Sequence, residues 1–223
     1  MTGLIALVGG DPFGPGNEWQ ADLVGASGTQ TVTIVPTAAA FEQPGTLVAA
    51  AERWFGSIGL RTEVVDLLDR THASLPDTVT ALRDARCLFF AGPSSLHFRA
   101  VLKDTPALAA VNAAVAGGAT LFAAGGAAAA LCDPMVDQRG GAFTIGLGVV
   151  QGLAMVPDAS TWSSEKLHRL ANLAPRDAIV VAIDPSTALV IDADGTCRAV
   201  GDGSIQVSEG GVAGTVADLR VRR

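Results

Sequence analysis

The sequence predicts an α/β fold: a mostly parallel central sheet with helices on both faces, and β-hairpins near the C-terminus. Three observations carry that expectation. Four short strand-like runs, at residues 4–8, 31–35, 63–67 and 87–90, alternate with helix-patterned or polar segments, and such alternation implies right-handed crossovers that leave neighbouring strands parallel. Leu47, Ala50, Ala51, Trp54, Phe55 and Ile58 recur with the period of a helix that buries one stripe. Residues 112–132 carry no charge, yet the pairs Gly117-Gly118 and Gly125-Gly126 divide them into a helix end, a buried strand and a sharp turn into a second helix. A membrane span needs about 20 mostly apolar residues, and the two glycine pairs make this stretch protein core instead.

Taken in order, Leu4-Ile5-Ala6-Leu7-Val8 ends in Gly9-Gly10, as a buried parallel strand does. The loop Asp11-Pro12-Phe13-Gly14-Pro15-Gly16 leads to a short helix at 17–24. A dinucleotide-binding loop would read G-x-G-x-x-G and open straight into its helix; two prolines and the wrong glycine spacing argue against it, and no cofactor is expected. The second strand closes with Pro36-Thr37. The helix from Thr46 ends near Ile58 with Gly59 as its C′ residue, and Trp54 belongs to its core stripe. His72 lies in the polar connection after the third strand. The fourth strand runs into Gly92, Pro93, Ser94, Ser95 and His97, at the strand end where open α/β sheets gather ligands. The competing reading makes a serine there a helix cap, with His97 on the solvent side. Thr105 caps a helix that has Pro106 at its first position and turns Leu108, Val111 and Val115 inward. The strand 120–123 then meets the turn Ala124-Gly125-Gly126-Ala127-Ala128. In α/β hydrolases such a strand-turn-helix exposes the nucleophile, and the next N–H stabilises the oxyanion; this turn holds no Ser, Cys or Thr. Beyond Cys132, the Gly-rich segment 140–157 suggests short strands. A Ser-capped helix at 163–173 buries Leu167, Leu170 and Ala171. Strands at 178–183, 188–191, 197–200 and 205–207 surround an Asp194-Gly195 hairpin turn. No linker interrupts the chain, so residues 1–223 read as one domain.

Bulk composition narrows the function. Hydrophobic residues at 49% against 17% charged describe a globular chain. A net charge of −7, with no basic cluster before Arg220, Arg222 and Arg223, argues against nucleic acid. Cys87, Cys132 and Cys197 lie far apart and read as reduced, packed thiols of a cytoplasmic protein, in keeping with a start that lacks a signal-peptide pattern. His72, His97 and His168 are scattered without metal-ligand spacing, and no metal is expected.

Several short motifs, in order along nearly the whole chain, carry a resemblance. Val35-Pro36-Thr37-Ala38 is similar to I-P-T-A-S, and Phe90-Ala91-Gly92-Pro93-Ser94 stands where a G-G-G or G-G-D loop is found. The segment from Gly146-Leu147-Gly148 to Val156-Pro157 matches one that leads to Pro-His. Residues 182–189 are similar to G-I-D-E-x-T-A-L, and Gly201-Asp202-Gly203-Ser204 to G-x-G-S. Together they resemble the dipeptidase E and cyanophycinase family of serine peptidases, with its class I glutamine amidotransferase-like fold.

The departures from that pattern fall on the chemistry. The family elbow is G-x-S-A-G-A with a Leu six residues after the serine; setting Leu131 on that Leu places Gly125 at the nucleophile and Gly126 at the oxyanion donor. Asp158 stands where the family histidine follows proline, Pro185 replaces the Glu of G-I-D-E, and Pro93 removes an N–H from the oxyanion loop. Asp133 or Asp137 would be the third triad member, although an orienting acid without a base does nothing. The resemblance therefore implies a catalytically degenerate homologue with no catalytic residue. Its ligand cleft would comprise Gly92, Pro93, Ser94, Gly125 and Gly126 and would hold a small acidic or peptide-like ligand, with a weak anion site at the helix N-terminus that Asp158 would oppose. The alternatives are a hydrolase with a relocated nucleophile, such as Ser94 or Cys132, and a partner-binding protein whose cleft is filled by its own side chains.

Overall fold

The computed structural model describes residues 3–139 and 141–221. Gly140, Arg222 and Arg223, named above in the Gly-rich segment and the basic C-terminus, lie outside the described residues.

The first part of the chain alternates as its pattern predicts: β1 (Ile5–Val8), α1 (Gln20–Ala26), β2 (Thr31–Val35), α2 (Pro44–Ser57), β3 (Arg61–Val64), α3 (Pro76–Asp84), β4 (Cys87–Gly92), α4 (Ser95–Leu102), α5 (Pro106–Ala116), β5 (Thr120–Gly125) and α6 (Gly126–Leu131). The five strands are parallel in the order β1-β5-β4-β2-β3. Successive side chains point to opposite faces. Leu7, Leu88, Phe90 and Leu121 therefore pack with Leu82, Phe98 and Val111 of α3, α4 and α5, while Val8, Phe89 and Phe122 pack with Val24 and Phe55 of α1 and α2. Both faces are covered, which is why the strands read as apolar runs rather than alternating ones.

The second part adds β6 (Cys132–Asp133), β7 (Met135–Asp137), β8 (Ala142–Thr144), β9 (Val150–Gln151), β10 (Leu153–Val156), α7 (Ser164–Leu173), β11 (Ile179–Ile183), β12 (Thr187–Ile191), β13 (Cys197–Gly201), β14 (Ile205–Glu209) and β15 (Val212–Gly214). The β12–β13 hairpin, turning at Asp194-Gly195, extends the large sheet beyond β1, with β12 antiparallel to both neighbours. β10, β11, β14 and β15 form a second sheet, against which α7 leaves a groove of about 580 Å³ lined by Trp162, Leu167 and Ile205.

Several boundaries differ from expectation. The third strand occupies Arg61–Val64 rather than 63–67, because Arg61 N–H already donates to Gln30 O (2.8 Å). As the edge strand, with Arg61 and Glu63 exposed, it carries little apolar signal. The first helix begins at Gln20 rather than at 17. Helix α3 was not foreseen: it fully buries only Leu82, so no repeating stripe announces it. Thr105 and Ser163 cap as expected, accepting from Leu108 N–H and Lys166 N–H. All three cysteines are buried and none is joined in a disulfide. Among the described residues, no helix is long and apolar enough to cross a membrane.

Candidate functional site

Parallel register brings the C-terminal ends of three central strands together: Val8 of β1 and Ala91 of β4 both lie beside Ala124 of β5, and Gly92 lies beside Gly125. The loops that follow open on one edge of the sheet, the place where open α/β sheets bind ligands. A cavity of about 210 Å³ lies there. Asp11, Pro12 and Phe13 wall it from the loop after β1, Leu47 from α2, and Gly92 and Pro93 from the end of β4. Gly125 forms part of its floor, and Asp158 enters from the segment after β10.

Gly125 sits in the turn with φ 63° and ψ −127°. A residue with a side chain is strained there by about 1–3 kcal/mol, whereas glycine adopts such angles with little steric penalty. There is room for a side chain, since a β-carbon on Gly125 would be 3.4 Å from its nearest neighbour, Gly92 O. Gly125→Ser should therefore fold and lose about 1 kcal/mol, the backbone strain being partly offset by lower entropy in the unfolded chain. Equilibrium denaturation measures this; equal or greater stability in the variant would show that the turn is unstrained.

The loop after β4 offers little to an oxyanion. Pro93 has no N–H, Ser94 N–H donates to Ala38 O (3.0 Å), and Ser95 N–H to Pro93 O (3.1 Å). Gly126 is buried, and a β-carbon there would land on the Pro93 carbonyl oxygen. Of the five residues expected to form the cleft, Gly92, Pro93 and Gly125 line the cavity. Gly126 packs beneath Pro93, and Ser94 lines a separate pocket on the far side of Pro93 with Asp137 and Arg139.

Asp158 is half-buried, with left-handed backbone (φ 50°, ψ 45°) and its N–H donating to Gly9 O (3.1 Å). A β-carbon on Gly10 would land on its Oδ1, so the carboxylate uses space that only glycine leaves. Burial, and then the nearby Asp11 carboxylate, raise its pKa above the ordinary aspartate value. The folded state thus holds the proton more tightly than the unfolded chain, and the ionised form costs stability at neutral pH. Asp158→Asn should be more stable than wild type at pH 7, and the difference should vanish once pH falls below the unfolded value of about 3.9. Urea denaturation at the two pH values checks this; a variant less stable at pH 7 would contradict it.

The remaining candidates lie elsewhere. Ser94 occupies the helix-cap position of α4 but makes no side-chain cap bond. His97 is not on the solvent side as expected: it is half-buried, with Nε2 2.8 Å from Leu68 O and its ring edge-on to Phe41. Cys132 is fully buried, and burial pushes its thiol up to about 12. Asp133 Oδ1 accepts from Gly146 N–H (2.9 Å), and Asp137 is paired with Arg139 (2.9 Å), which holds its carboxyl below the usual range. His168 is exposed beside Asn172. His72 Nδ1 accepts from Leu68 N–H (3.4 Å). Among the described residues, no group of three His, Cys, Asp or Glu is placed to hold a metal ion.

Sequence reasoning missed the wall formed by Asp11, Pro12 and Phe13. Buried Asn17 Nδ2 donates to Asp11 O (3.0 Å) and Gly14 O (3.1 Å), and buried Gln20 Nε2 to Pro12 O (3.0 Å). Trp54 Nε1 in turn donates to Gln20 Oε1 (3.0 Å). Two amide residues directly after a Pro/Gly-rich loop were the available signal.

Comparison with known proteins bears on the family and the fold. The family model described as Peptidase family S51 matches residues 7–197. A cyanophycinase of Nostoc sp. is 25% identical over 219 residues, covering 92% of this chain and 73% of the relative. A cyanophycinase of Synechococcus elongatus is 27% identical over 191 residues, covering 79% and 58%. Among solved structures, a peptidase from an acI-B1 Actinobacterium superposes with TM-score 0.84 at 21% identity, covering 94% of this chain and 92% of that one. A putative peptidase E protein from Listeria monocytogenes gives TM-score 0.67 at 17% identity, covering 92% and 100%. At these identities the structural matches speak to the fold.

Proposed function

Because the chain belongs to peptidase family S51, we propose that it is a non-hydrolysing member that keeps the family's cleft as a binding site for a small peptide-like ligand. The observation that carries this reading is the chemistry of the cavity at the elbow: the residues lining it include no hydroxyl, thiol or imidazole. Acyl transfer through an enzyme nucleophile needs such a group and a base within hydrogen-bond reach. Here Gly125 and Asp158 stand at the positions that resemble the family's serine and histidine. The cavity is nonetheless open and firmly walled, which favours a ligand over a collapsed remnant.

Relocation of the nucleophile finds little support. The Cys132 thiol is buried and held protonated, and Ser94 lies across Pro93 in a pocket whose lining includes no histidine. The test is labelling of native protein with a fluorophosphonate and, separately, with iodoacetamide. No stoichiometric adduct is expected by intact-mass measurement. Selective one-to-one modification of a single residue would overturn the reading and identify the nucleophile.

A further inference from the structure

The cavity at Gly125 is apolar on most sides: Pro12, Phe13, Leu47, Ala91 and Ala124 line it. One ionisable side chain reaches well into this apolar setting, Asp158, with the exposed Asp11 at the rim. No lysine, arginine or histidine lines the space. Among the described residues, no donor or cation bonds the Asp158 carboxylate; burial and Asp11 act on it in the same direction, and nothing opposes them. A half-buried carboxylate without a partner is unfavourable unless something supplies the missing charge and hydrogen bonds.

The position is built. The left-handed backbone at Asp158 and its N–H bond to Gly9 O aim the side chain over Gly10, the one residue type that leaves Oδ1 its space. The Asp11–Phe13 wall is pinned through its carbonyl groups by the fully buried Asn17 and Gln20. Phe13 rests on Phe55 (5.8 Å between ring centroids) and Phe89 (5.3 Å). Apolar walls with a few fixed polar groups are the usual make-up of a small-molecule site.

We infer that this cleft binds a small organic monocation, a primary ammonium on a short apolar stem, with the Asp158 carboxylate as its counter-ion and Phe13 and Leu47 against the stem. The anionic ligand and weak anion site expected from the helix N-terminus are disfavoured by the same carboxylates. An ammonium would donate to Asp158, and such charge-assisted bonds are roughly twice as strong as neutral ones. Asp11 adds long-range attraction that salt screens.

The inference rests on the reading of the cleft as a binding site, but its test is separate from the labelling experiment, because titration detects a bound cation whether or not a nucleophile exists. The probe is n-butylammonium chloride, titrated calorimetrically into the 223-residue chain, with sodium butyrate and 1-butanol as controls of similar stem. Saturable one-to-one binding is expected for the ammonium, with butyrate and butanol at least about tenfold weaker, the factor that corresponds to one charge-assisted hydrogen bond. Asp158→Asn, which keeps the side chain's shape and should fold at least as well, is expected to weaken ammonium binding by a similar factor and to leave butanol unchanged. Absence of saturable ammonium binding, equal binding of butyrate, or undiminished binding to folded Asp158→Asn would each overturn the inference.

Discussion

Purified protein is expected to leave aspartyl dipeptides and cyanophycin uncut. In a serine hydrolase the loss of the nucleophile or the base alone typically lowers kcat by about 10⁶-fold, and what remains comes from the oxyanion hole and binding. On the proposed reading Gly125 stands at the nucleophile position and Asp158 at the base position, and Pro93, Ser94 and Ser95 offer no free N–H to an oxyanion. On that reading nucleophile and base are missing together, and the loop after β4 adds no donor beyond Gly126 N–H at the start of α6. Prolonged incubation with chromatographic detection of released products checks this. Turnover that survives repurification and disappears on changing one residue of this chain would overturn it.

The largest effect on stability is expected from Phe89→Ala. Phe89 is fully buried, stacks on Phe122 (5.2 Å, 13° between planes) and meets Phe55 (5.5 Å) and Phe13 (5.3 Å). Removing a ring from such a site costs about 3–5 kcal/mol in lost transfer energy and residual cavity, out of a total that is about 5–15 kcal/mol for most domains. A fall in melting temperature on the order of 10 °C should accompany it. Phe13 leans on Phe89, so the cavity wall loses its backing and ammonium affinity should fall as well. Denaturation followed by titration of the surviving folded protein measures both. A loss below about 1 kcal/mol, the range of mild core changes, would mean that the aromatic cluster repacks freely.

Much of the architecture was legible because it rests on local signals. Apolar runs closed by glycine or proline marked β1, β2, β4 and β5, the Thr105-Pro106 cap opened α5, and two glycine pairs located the elbow. The alignment on Leu131 brought Gly125 to notice and the match ending in Val156-Pro157 brought Asp158, and both line one cavity. Other features depend on contacts no local pattern records. The loop after β1 becomes a wall only because β1 lies beside β5 in register. His97 faces inward because Leu68 O comes to it from 29 residues away. β3 carries little signal because edge strands bury little, and Ser94 leaves the cleft because the chain turns about Pro93.

If the chain is non-hydrolysing as proposed, that turn bears on how it could acquire the triad's chemistry. With no side chain on Gly126, the Pro93 carbonyl rests against the start of α6, in the space an alanine methyl would need. Restoring the elbow's Ser-Ala pair would thus require the loop after β4 to move as well, and the loop has its own anchor at Ala38. A serine alone would meet no base, a histidine alone would have nothing to deprotonate, and an alanine alone would only clash. Every single-substitution step back passes through a protein that is no better a catalyst and is in two cases less stable, so selection for activity has no first step to favour. On the proposed reading the neighbouring glycines act as a one-way latch against the triad's chemistry.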